Sequence, residues 1–490
     1  MTRRHLDPTD LDAVRSSVGL TDPASRLHPM GLERIVIGPE AIDEVARIVT
    51  ELRKPGPIAV VGDRRAIARA GIDAKADVAR RLAAVEPDVR IVSLGTSDAE
   101  LHADATAIRE AIAGAQGCGI IVAVGSGTVC DVAKEASREL GVPYVVLQTA
   151  NSVNAFSDDM AVLLVNGVKR TMPSRWPTAL VIDLTLVADA PAAMNRAGVG
   201  ELAAMFTAPA DWRLAAAVGM DTTWDRRVVD LFRDGADALL AAAPLATSHD
   251  ETAQRSLAEL MTLSGLALGI AGKTAPISGT EHTVSHLLDM AAARAGSPTG
   301  LHGAQVGVAA LAVSVAWERL LADFDPESLL STPVPSEQDM HDRITAAFSD
   351  LDPSAAMADE CWAEYSAKLR RWTDNRGQLR AVVDDWAAVR RDLESLLGAP
   401  REIAAALRSA GAPATFDELD PPVSRDAAIW ALFNGHLIRD RFTLADLAWF
   451  AGAWPPDGAA AAIDGAAEIA ARAPAESRTI DTAATVAGGS

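Results

Sequence analysis

Short apolar runs alternate with longer Ala- and Glu-rich periodic segments between residues 33 and 185. The runs are nearly continuous in Val, Ile and Leu, as is typical of strands whose two faces are both covered by helices. Strands that alternate with helical segments predict βαβ units and a mostly parallel sheet. The predicted strands are residues 33–38, 57–63, 89–95, 119–125, 143–149 and 179–184.

The pattern changes after Thr185. Residues 186–455 are rich in Ala, Leu, Arg and Glu at helical spacing, which predicts an all-α domain. Residues 456–490 hold almost no large apolar side chains, so we expect a disordered tail that cannot offset the entropy of ordering. The sequence thus predicts an N-terminal extension over 1–30, an α/β domain over 31–185, the helical domain and the tail.

The composition of the chain indicates which binding partners and which cellular compartment to expect. The 490 residues include 45 Lys and Arg against 66 Asp and Glu, a formal net charge of −21, which argues against binding to nucleic acid or anionic lipid. The three cysteines are odd in number and scattered, which favours a reducing compartment. The N-terminus MTRRHLDPTDLDAV lacks the apolar core of a secretory signal, and the apolar runs fall short of the ~20 residues that span a bilayer. We therefore expect a cytoplasmic protein without membrane insertion.

A glycine-rich turn is the first candidate for a ligand-binding site. In IIVAVGSGTVCDVAKEA, Gly125, Ser126 and Gly127 follow a strand and precede a helix, where small residues let a pyrophosphate approach the helix N-terminus. The alternative interpretation is that residues 125–127 form only a tight turn between the strand and the helix, without a ligand. Asp63 ends the strand AVVGD and could accept hydrogen bonds from an adenosine ribose, or simply cap a helix.

Histidines suggest a metal site. SGTEHTVSHLLDM places His282 and His286 four residues apart on one helix face, and His302 follows in TGLHGAQVG. A catalytic ion needs three protein ligands, so a carboxylate should join them. Glu201, after two glycines in AGVGELAAMF, is a candidate. The alternatives are a structural histidine pair and a first-turn acid that complements the helix dipole.

Several segments in order resemble the superfamily of iron-containing alcohol dehydrogenases and dehydroquinate synthases, and within it the bacterial glycerol-1-phosphate dehydrogenases. They are IVIGPEAIDEV, GSGTVCDVAKEAS, VPYVVLQTANSVNAFSDDMA, VNGVKRTMP, AGVGELAAMFTAPADW, SGTEHTVSHLLD, LHGAQVGV and LIRDRFTLADLAW. The resemblance runs from about Gly31 to Trp454. It implies a Rossmann-like domain and a helical domain with the active site in the cleft between them.

The resemblance also implies site residues. Those for NAD or NADP would be Asp63, Gly125, Ser126, Gly127, Thr128, Asp131, Thr149 and Ser152, with Lys134 near Asp131. A divalent ion such as zinc, nickel or iron would be held by Glu201, His282 and His302. His286 and Asn154 would lie nearer the substrate, as the catalytic residues.

Four residues depart from the pattern of the relatives. Glu201 and Asn154 stand where the glycerol-phosphate enzymes usually carry Asp, and Ala304 replaces the Glu of a common HGE motif. Met205 stands where dehydroquinate synthases carry Lys.

We therefore expect a metal-dependent dehydrogenase that reduces dihydroxyacetone phosphate, or a close phosphorylated or phosphonate analogue, to sn-glycerol 1-phosphate. Its partners would be that small substrate and further copies of itself, in a homodimer or larger homo-oligomer. The alternatives are a sugar-phosphate cyclase and a relative that binds nucleotide without turnover.

Overall fold

The computed structural model describes residues 5–96, 100–165 and 168–473. The strands are β1 Arg34–Gly38, β2 Ile58–Asp63, β3 Ala68–Arg69, β4 Ile72–Asp73, β5 Val89–Leu94, β6 Ile120–Gly125, β7 Tyr144–Gln148, β8 Met160–Val165, β9 Val168–Pro173 and β10 Ala179–Asp183.

The helices of the first half are α1 Leu11–Ser17, α2 Val45–Leu52, α3 Ala74–Leu82, α4 Ala105–Ala115, α5 Gly127–Leu140 and α6 Leu184–Ala188. Those that follow are α7 Ala192–Ala203, α8 Ala208–Ala217, α9 Arg226–Arg233, α10 Ala236–Ala242, α11 Glu251–Ala271, α12 Thr280–Ala295, α13 His302–Asp323, α14 Ser328–Ser331, α15 Glu337–Phe348, α16 Ala356–Asn375, α17 Leu379–Asp384, α18 Trp386–Leu396, α19 Pro400–Ala410, α20 Arg425–Asn434, α21 Leu444–Phe450 and α22 Pro456–Arg472.

All six predicted strands pair in one parallel sheet, in the order β1-β10-β7-β6-β2-β5. Every residue of β6, β7 and β10 is buried, because helices cover both faces of the sheet. The prediction of a parallel α/β domain followed by helices is confirmed. Since the strands are parallel, their carboxyl ends, including Asp63 and Gly125, meet at one edge of the sheet.

An antiparallel hairpin, β8–β9, was not predicted. Its strands flank residues 166–167, which lie outside the described residues. The sequence carried a signal for it, because the dipeptide Asn166-Gly167 stands between the runs MAVLLV and VKRTMP, and an Asn-Gly pair between two strand-forming runs favours a two-residue hairpin.

Helices α7 and α13 cross at glycines. A Cβ on Gly200 would lie 2.1 Å from the carbonyl oxygen of Gly303. A Cβ on Gly303 would lie 2.2 Å from the carbonyl oxygen of Ala197. The two backbones therefore touch, and no larger residue fits at the crossing without moving a helix. Helix α13 is long and apolar enough to cross a membrane, but 83 % of its most apolar stretch is buried inside the protein, as in a helix of a packed core.

The predicted disorder of the tail is wrong for residues 456–472, which form helix α22. Alanine is the best helix former and loses no side-chain entropy on ordering, so small apolar side chains suffice when neighbouring helices come close. Helix α22 packs on α13, α19 and α20, with a buried face made of Ala459, Ala462, Ile463, Ala466 and Ala470. Residues 474–490 of the predicted tail lie outside the described residues.

A candidate metal and nucleotide site

A cavity of about 670 Å³ separates the sheet's helix α5 from the helical half of the chain. On one side it is lined by Gly127, Thr128 and Asp131 of α5. On the other it is lined by Glu201, His282, His286 and His302, and Asn154 also faces it. One compartment thus contains the predicted metal and catalytic residues and part of the predicted dinucleotide site.

Three helices bring a carboxylate and two imidazoles together. Glu201 lies on α7, His282 on the first turn of α12 and His302 at the start of α13. The Nε2 atom of His282 lies 3.7 Å from Oε1 of Glu201, and Nε2 of His302 lies 3.8 Å from Oε2. One ligand atom from each residue lies within 4.8 Å of the others.

Hydrogen bonds fix which ring nitrogen of each histidine faces the cluster. His282 Nδ1 lies 2.9 Å from the Glu281 carboxylate, so it carries the hydrogen. Ser285 donates its hydroxyl to Gln305 at 2.7 Å and therefore accepts from Nδ1 of His302 at 2.9 Å. The lone pairs on both Nε2 atoms are left for the centre of the cluster, the usual arrangement around a metal-bound histidine.

Burial and neighbouring charges shift the pKa values of all three side chains in the cluster. Burial opposes ionisation of Glu201, but the neighbouring imidazole of His282, with a smaller effect of His302, lowers its pKa below the usual value. Burial disfavours the charged form of His282, yet Glu201 and Glu281 raise its pKa to about 9. Burial lowers the pKa of His302 to about 4, despite the opposing charge of Glu201. A proton and a divalent cation would therefore compete for the Nε2 lone pair of His282.

The residues fit a metal ion. Oε2 of Glu201 is buried and has no hydrogen-bond partner among the described residues, which is costly for a charged oxygen. Two imidazole nitrogens and one carboxylate are the donor set of many catalytic zinc sites, and such donors also suit nickel or iron.

His286 lies beside the cluster without joining it. Its ring stacks on that of His302 with 5.4 Å between centroids. Its Nδ1 accepts a hydrogen bond from Arg439 at 3.4 Å, so Nε2 carries the hydrogen. Burial, with the nearby charge of Arg439, lowers the pKa of His286 well below its ordinary value. Burial and the neighbouring cation therefore favour the neutral form of His286, which can donate a hydrogen bond from Nε2.

The predicted dinucleotide residues separate into two groups. Gly127, Thr128 and Asp131 line the cavity. The others lie at the carboxyl edge of the sheet or in the loop that follows β7: Asp63, Gly125, Ser126, Thr149 and Ser152.

Two of these acids have partners within the protein. Asp63 accepts a hydrogen bond from the backbone N–H of Arg65 at 2.8 Å, so it caps the turn after β2 whether or not a ribose also binds. Burial raises the pKa of Asp131 to about 7, opposed by the charge of Lys134, whose Nζ lies 3.8 Å away.

Sequence reasoning missed the supporting residues Glu281, Ser285 and Arg439. The first two were visible as polar residues next to histidines on an otherwise apolar helix, where second ligand shells are commonly found. Arg439 lies 153 positions from His286, and no spacing rule relates the two.

Replacing Ser285 with alanine should weaken metal binding about 10- to 100-fold, because Nδ1 of His302 then loses its acceptor and the ring its orientation. Competition with a chelating dye measures the affinity. Ser314→Ala is the matched control, since Ser314 is buried on the same helix as His302 and donates instead to Gly398. Equal affinity in Ser285→Ala and Ser314→Ala would contradict this role of Ser285.

A parallel α/β domain and a helical domain that share a cavity with a carboxylate–histidine cluster define the class of dehydrogenases that pair a dinucleotide fold with a helical metal-binding half. Residues 36–191 match the family model of the iron-containing alcohol dehydrogenases. Over 420 residues the chain is 26 % identical to glycerol-1-phosphate dehydrogenase (NAD(P)+) of Bacillus velezensis, covering 86 % of this chain and 91 % of that protein. The protein of that name from Thermococcus kodakarensis is 27 % identical, over 60 % of this chain and 82 % of its own length.

The fold agrees with these relatives. The crystal structure of a probable glycerol dehydrogenase from Sinorhizobium meliloti 1021 superposes with a TM-score of 0.56 at 18 % identity, covering 91 % of this chain and 99 % of that one. The chain is thus similar to the iron-containing alcohol dehydrogenases in sequence over residues 36–191 and to the glycerol-1-phosphate dehydrogenases over most of its length.

Proposed function

We propose that this protein uses NADH or NADPH and one divalent metal ion to reduce dihydroxyacetone phosphate, or a close phosphorylated or phosphonate ketone, to sn-glycerol 1-phosphate. The glycerol-1-phosphate dehydrogenases among its relatives support this substrate class. The observation that carries the proposal is that the Glu201, His282 and His302 cluster shares a cavity with the N-terminus of α5. A hydride donor and a polarised carbonyl would meet there.

The first turn of α5 is built to receive a pyrophosphate. Ser126 precedes the helix, and its side chain makes no capping hydrogen bond, so the first backbone N–H groups remain for an anion. Gly127 is required by space, since a Cβ there would lie 2.7 Å from Val153. Asp63, Thr149 and Ser152 would extend the dinucleotide site along the sheet edge.

Glu201, His282 and His302 would hold the metal ion. When bound, that ion would polarise the substrate carbonyl and the nicotinamide would supply the hydride. His286 lines the cavity, and its Nε2–H would donate to the substrate oxygen and orient the ketone. Asn154 would add a neutral polar contact where relatives carry an acid.

Apolar side chains limit water in the same cavity. Val153, Leu268, Ile277 and Met290 line it, and in a drier site each fixed dipole acts more strongly on developing charge. The cyclase alternative would need a lysine where Met205 stands. The Met205 side chain is fully buried.

The proposal includes a cytoplasmic location and a homodimer or larger assembly. All three cysteines, Cys118, Cys130 and Cys361, are free and buried, which suits a reducing compartment.

The proposal is tested by mixing metal-loaded protein with NADH or NADPH and dihydroxyacetone phosphate and following nicotinamide absorbance. We expect oxidation that a chelator abolishes and added metal restores. The two nucleotides run in parallel give the cofactor preference, and chiral analysis of the product gives the stereochemistry.

Heat-treated protein carrying the same metal is the control for reduction without the folded site. Absence of oxidation by protein with about one bound ion per chain and measurable NADH binding would contradict the proposal. That result would favour the relative that binds nucleotide without turnover.

A further inference from the structure

A second cavity, of about 580 Å³, lies beside the first. Met160, Thr171 and Thr274 line both cavities, so they form a shared wall. The two cavities differ in the number of Lys and Arg side chains among the described residues, because Lys169 alone lines the first and four such side chains line the second.

Four cations line the second cavity, and three of them have carboxylate partners. Lys273 pairs with Asp221 at 2.7 Å and Arg371 pairs with Asp440 at 3.3 Å. Arg439 lies 3.8 Å from Glu364. Glu364 also pairs with Arg170 at 2.5 Å, so one carboxylate serves two guanidinium groups. The fourth cation is Arg441.

Arg441 has no carboxylate within 4 Å among the residues that the structure describes. It donates to the carbonyl and hydroxyl oxygens of Ser278 and to the hydroxyl of Thr274. A guanidinium has five N–H donors, so these three bonds leave at least two. Burial lowers the pKa of Arg441, against the raising effect of more distant acids. A partly buried cation with no carboxylate in contact carries a desolvation cost, and an anionic ligand would reduce that cost.

Arg441 and Arg439 also contact residues that line the first cavity. Ser278 and Thr274, which accept from Arg441, both line it. Arg439 donates to the carbonyl of Lys169 at 2.5 Å and to Nδ1 of His286 at 3.4 Å. The two guanidinium groups therefore stand one residue away from the cavity of the metal cluster.

A buried ion pair fixes the segment that carries both arginines. Lys368 lies on α16, and its Nζ lies 2.7 Å from the Asp446 carboxylate. The same Nζ donates to the carbonyl oxygens of His436 at 2.5 Å and Arg441 at 3.1 Å. Backbone on both sides of residues 439–441 is thus held, so the two arginines lose little further entropy when they bind a ligand.

We propose that Arg439 and Arg441 form an anion subsite at the wall between the two cavities, and that it binds the phosphate or phosphonate group of the substrate. This inference rests on the proposed function, because it assigns the anionic end of the same substrate. Arginine suits the task, since its planar N–H fork matches the oxygens of a phosphate. The subsite would select phosphorylated ketones over uncharged ones.

The test titrates metal-loaded protein with inorganic phosphate by calorimetry and measures KM for dihydroxyacetone phosphate. Arg441→Gln should weaken phosphate binding and raise KM about 100-fold, as expected for loss of a charge-assisted hydrogen-bond pair. Arg370→Gln is the matched control, because Arg370 lies on α16 with 57 % of its side chain exposed. It should bind phosphate like the unmodified protein.

Metal content and circular dichroism show whether Arg441→Gln is folded. Arg439→Gln provides a second test in which the bonds to Ser278 and Thr274 survive, and the same direction of effect is expected.

Unchanged phosphate affinity in both folded variants would overturn the inference, as would binding abolished by His302→Ala but not by Arg441→Gln, which would place phosphate on the metal. Phosphate binding that depends on Arg441 in a protein that does not reduce dihydroxyacetone phosphate would support the subsite and contradict the proposed function. Reduction of dihydroxyacetone phosphate by Arg441→Gln at an unchanged KM would support the proposed function and contradict the subsite.

Discussion

Replacing His282 with alanine is expected to remove the bound metal ion and to lower kcat/KM by at least about 10³-fold. Polarisation by a metal contributes several kcal/mol to a transition state, and about 1.4 kcal/mol corresponds to a tenfold change in rate. The substitution removes one of the three proposed ligand atoms and also deprives Glu281 of its hydrogen-bond partner at 2.9 Å. Elemental analysis after dialysis measures metal content, and steady-state kinetics measures the rate.

His249→Ala is the matched control for this experiment. His249 contacts Asp189 at 2.8 Å with 68 % of its side chain exposed, so its loss should change neither metal content nor rate. Full metal occupancy in folded His282→Ala would contradict the assignment of His282 as a ligand. Full occupancy with a lost rate would instead give His282 a role in the reaction alone.

Replacing Gly200 with alanine is expected to destabilise the protein by about 3 kcal/mol, the upper range for overpacking, and to weaken metal binding. The added Cβ would lie 2.1 Å from the Gly303 carbonyl oxygen. Backbone cannot rotate away as a flexible side chain can, so α7 must shift from α13. Glu201 and His302 lie next to this contact on opposite helices, and their separation would grow. Urea unfolding gives the stability, and dye competition gives the affinity.

Gly458→Ala is the control that distinguishes steric overlap at the helix crossing from the general effect of replacing a glycine in a helix. Gly458 lies in α22, and the nearest atom to an added Cβ is 3.5 Å away. There alanine should stabilise by up to about 1 kcal/mol through helix propensity. If Gly200→Ala unfolds at the same urea concentration as the unmodified protein, the crossing is more adaptable than its geometry indicates.

The sheet was predictable because its central strands β6, β7 and β10 are buried on both faces, which leaves continuous apolar runs in the sequence. Helix α22 was not predictable from composition, because its order depends on neighbours that come close to small side chains. The hairpin β8–β9 carried a local signal at Asn166–Gly167 that a search for parallel strands passes over.

The candidate site was only partly accessible from spacing. The interval between His282 and His286 correctly indicates a shared helix face, but it cannot show that His302 and Glu201 complete the cluster while His286 lies beside it. That choice depends on how three helices cross. Arg439 and Arg441 are more remote still, because no periodicity relates them to α12. The roles assigned to these residues remain predictions.

The contact between α7 and α13 would also limit which ions the proposed metal cluster could accept. Main-chain atoms meet at Gly200 and Gly303, so neither helix can advance to follow a shorter ligand. Were Glu201 exchanged for Asp, the carboxylate would retract by one methylene with no compensating movement of backbone. The helix crossing therefore fixes the spacing between the side chains of Glu201 and His302 that would hold an ion, and a change of preferred metal would require remodelling of the crossing as well as of these residues.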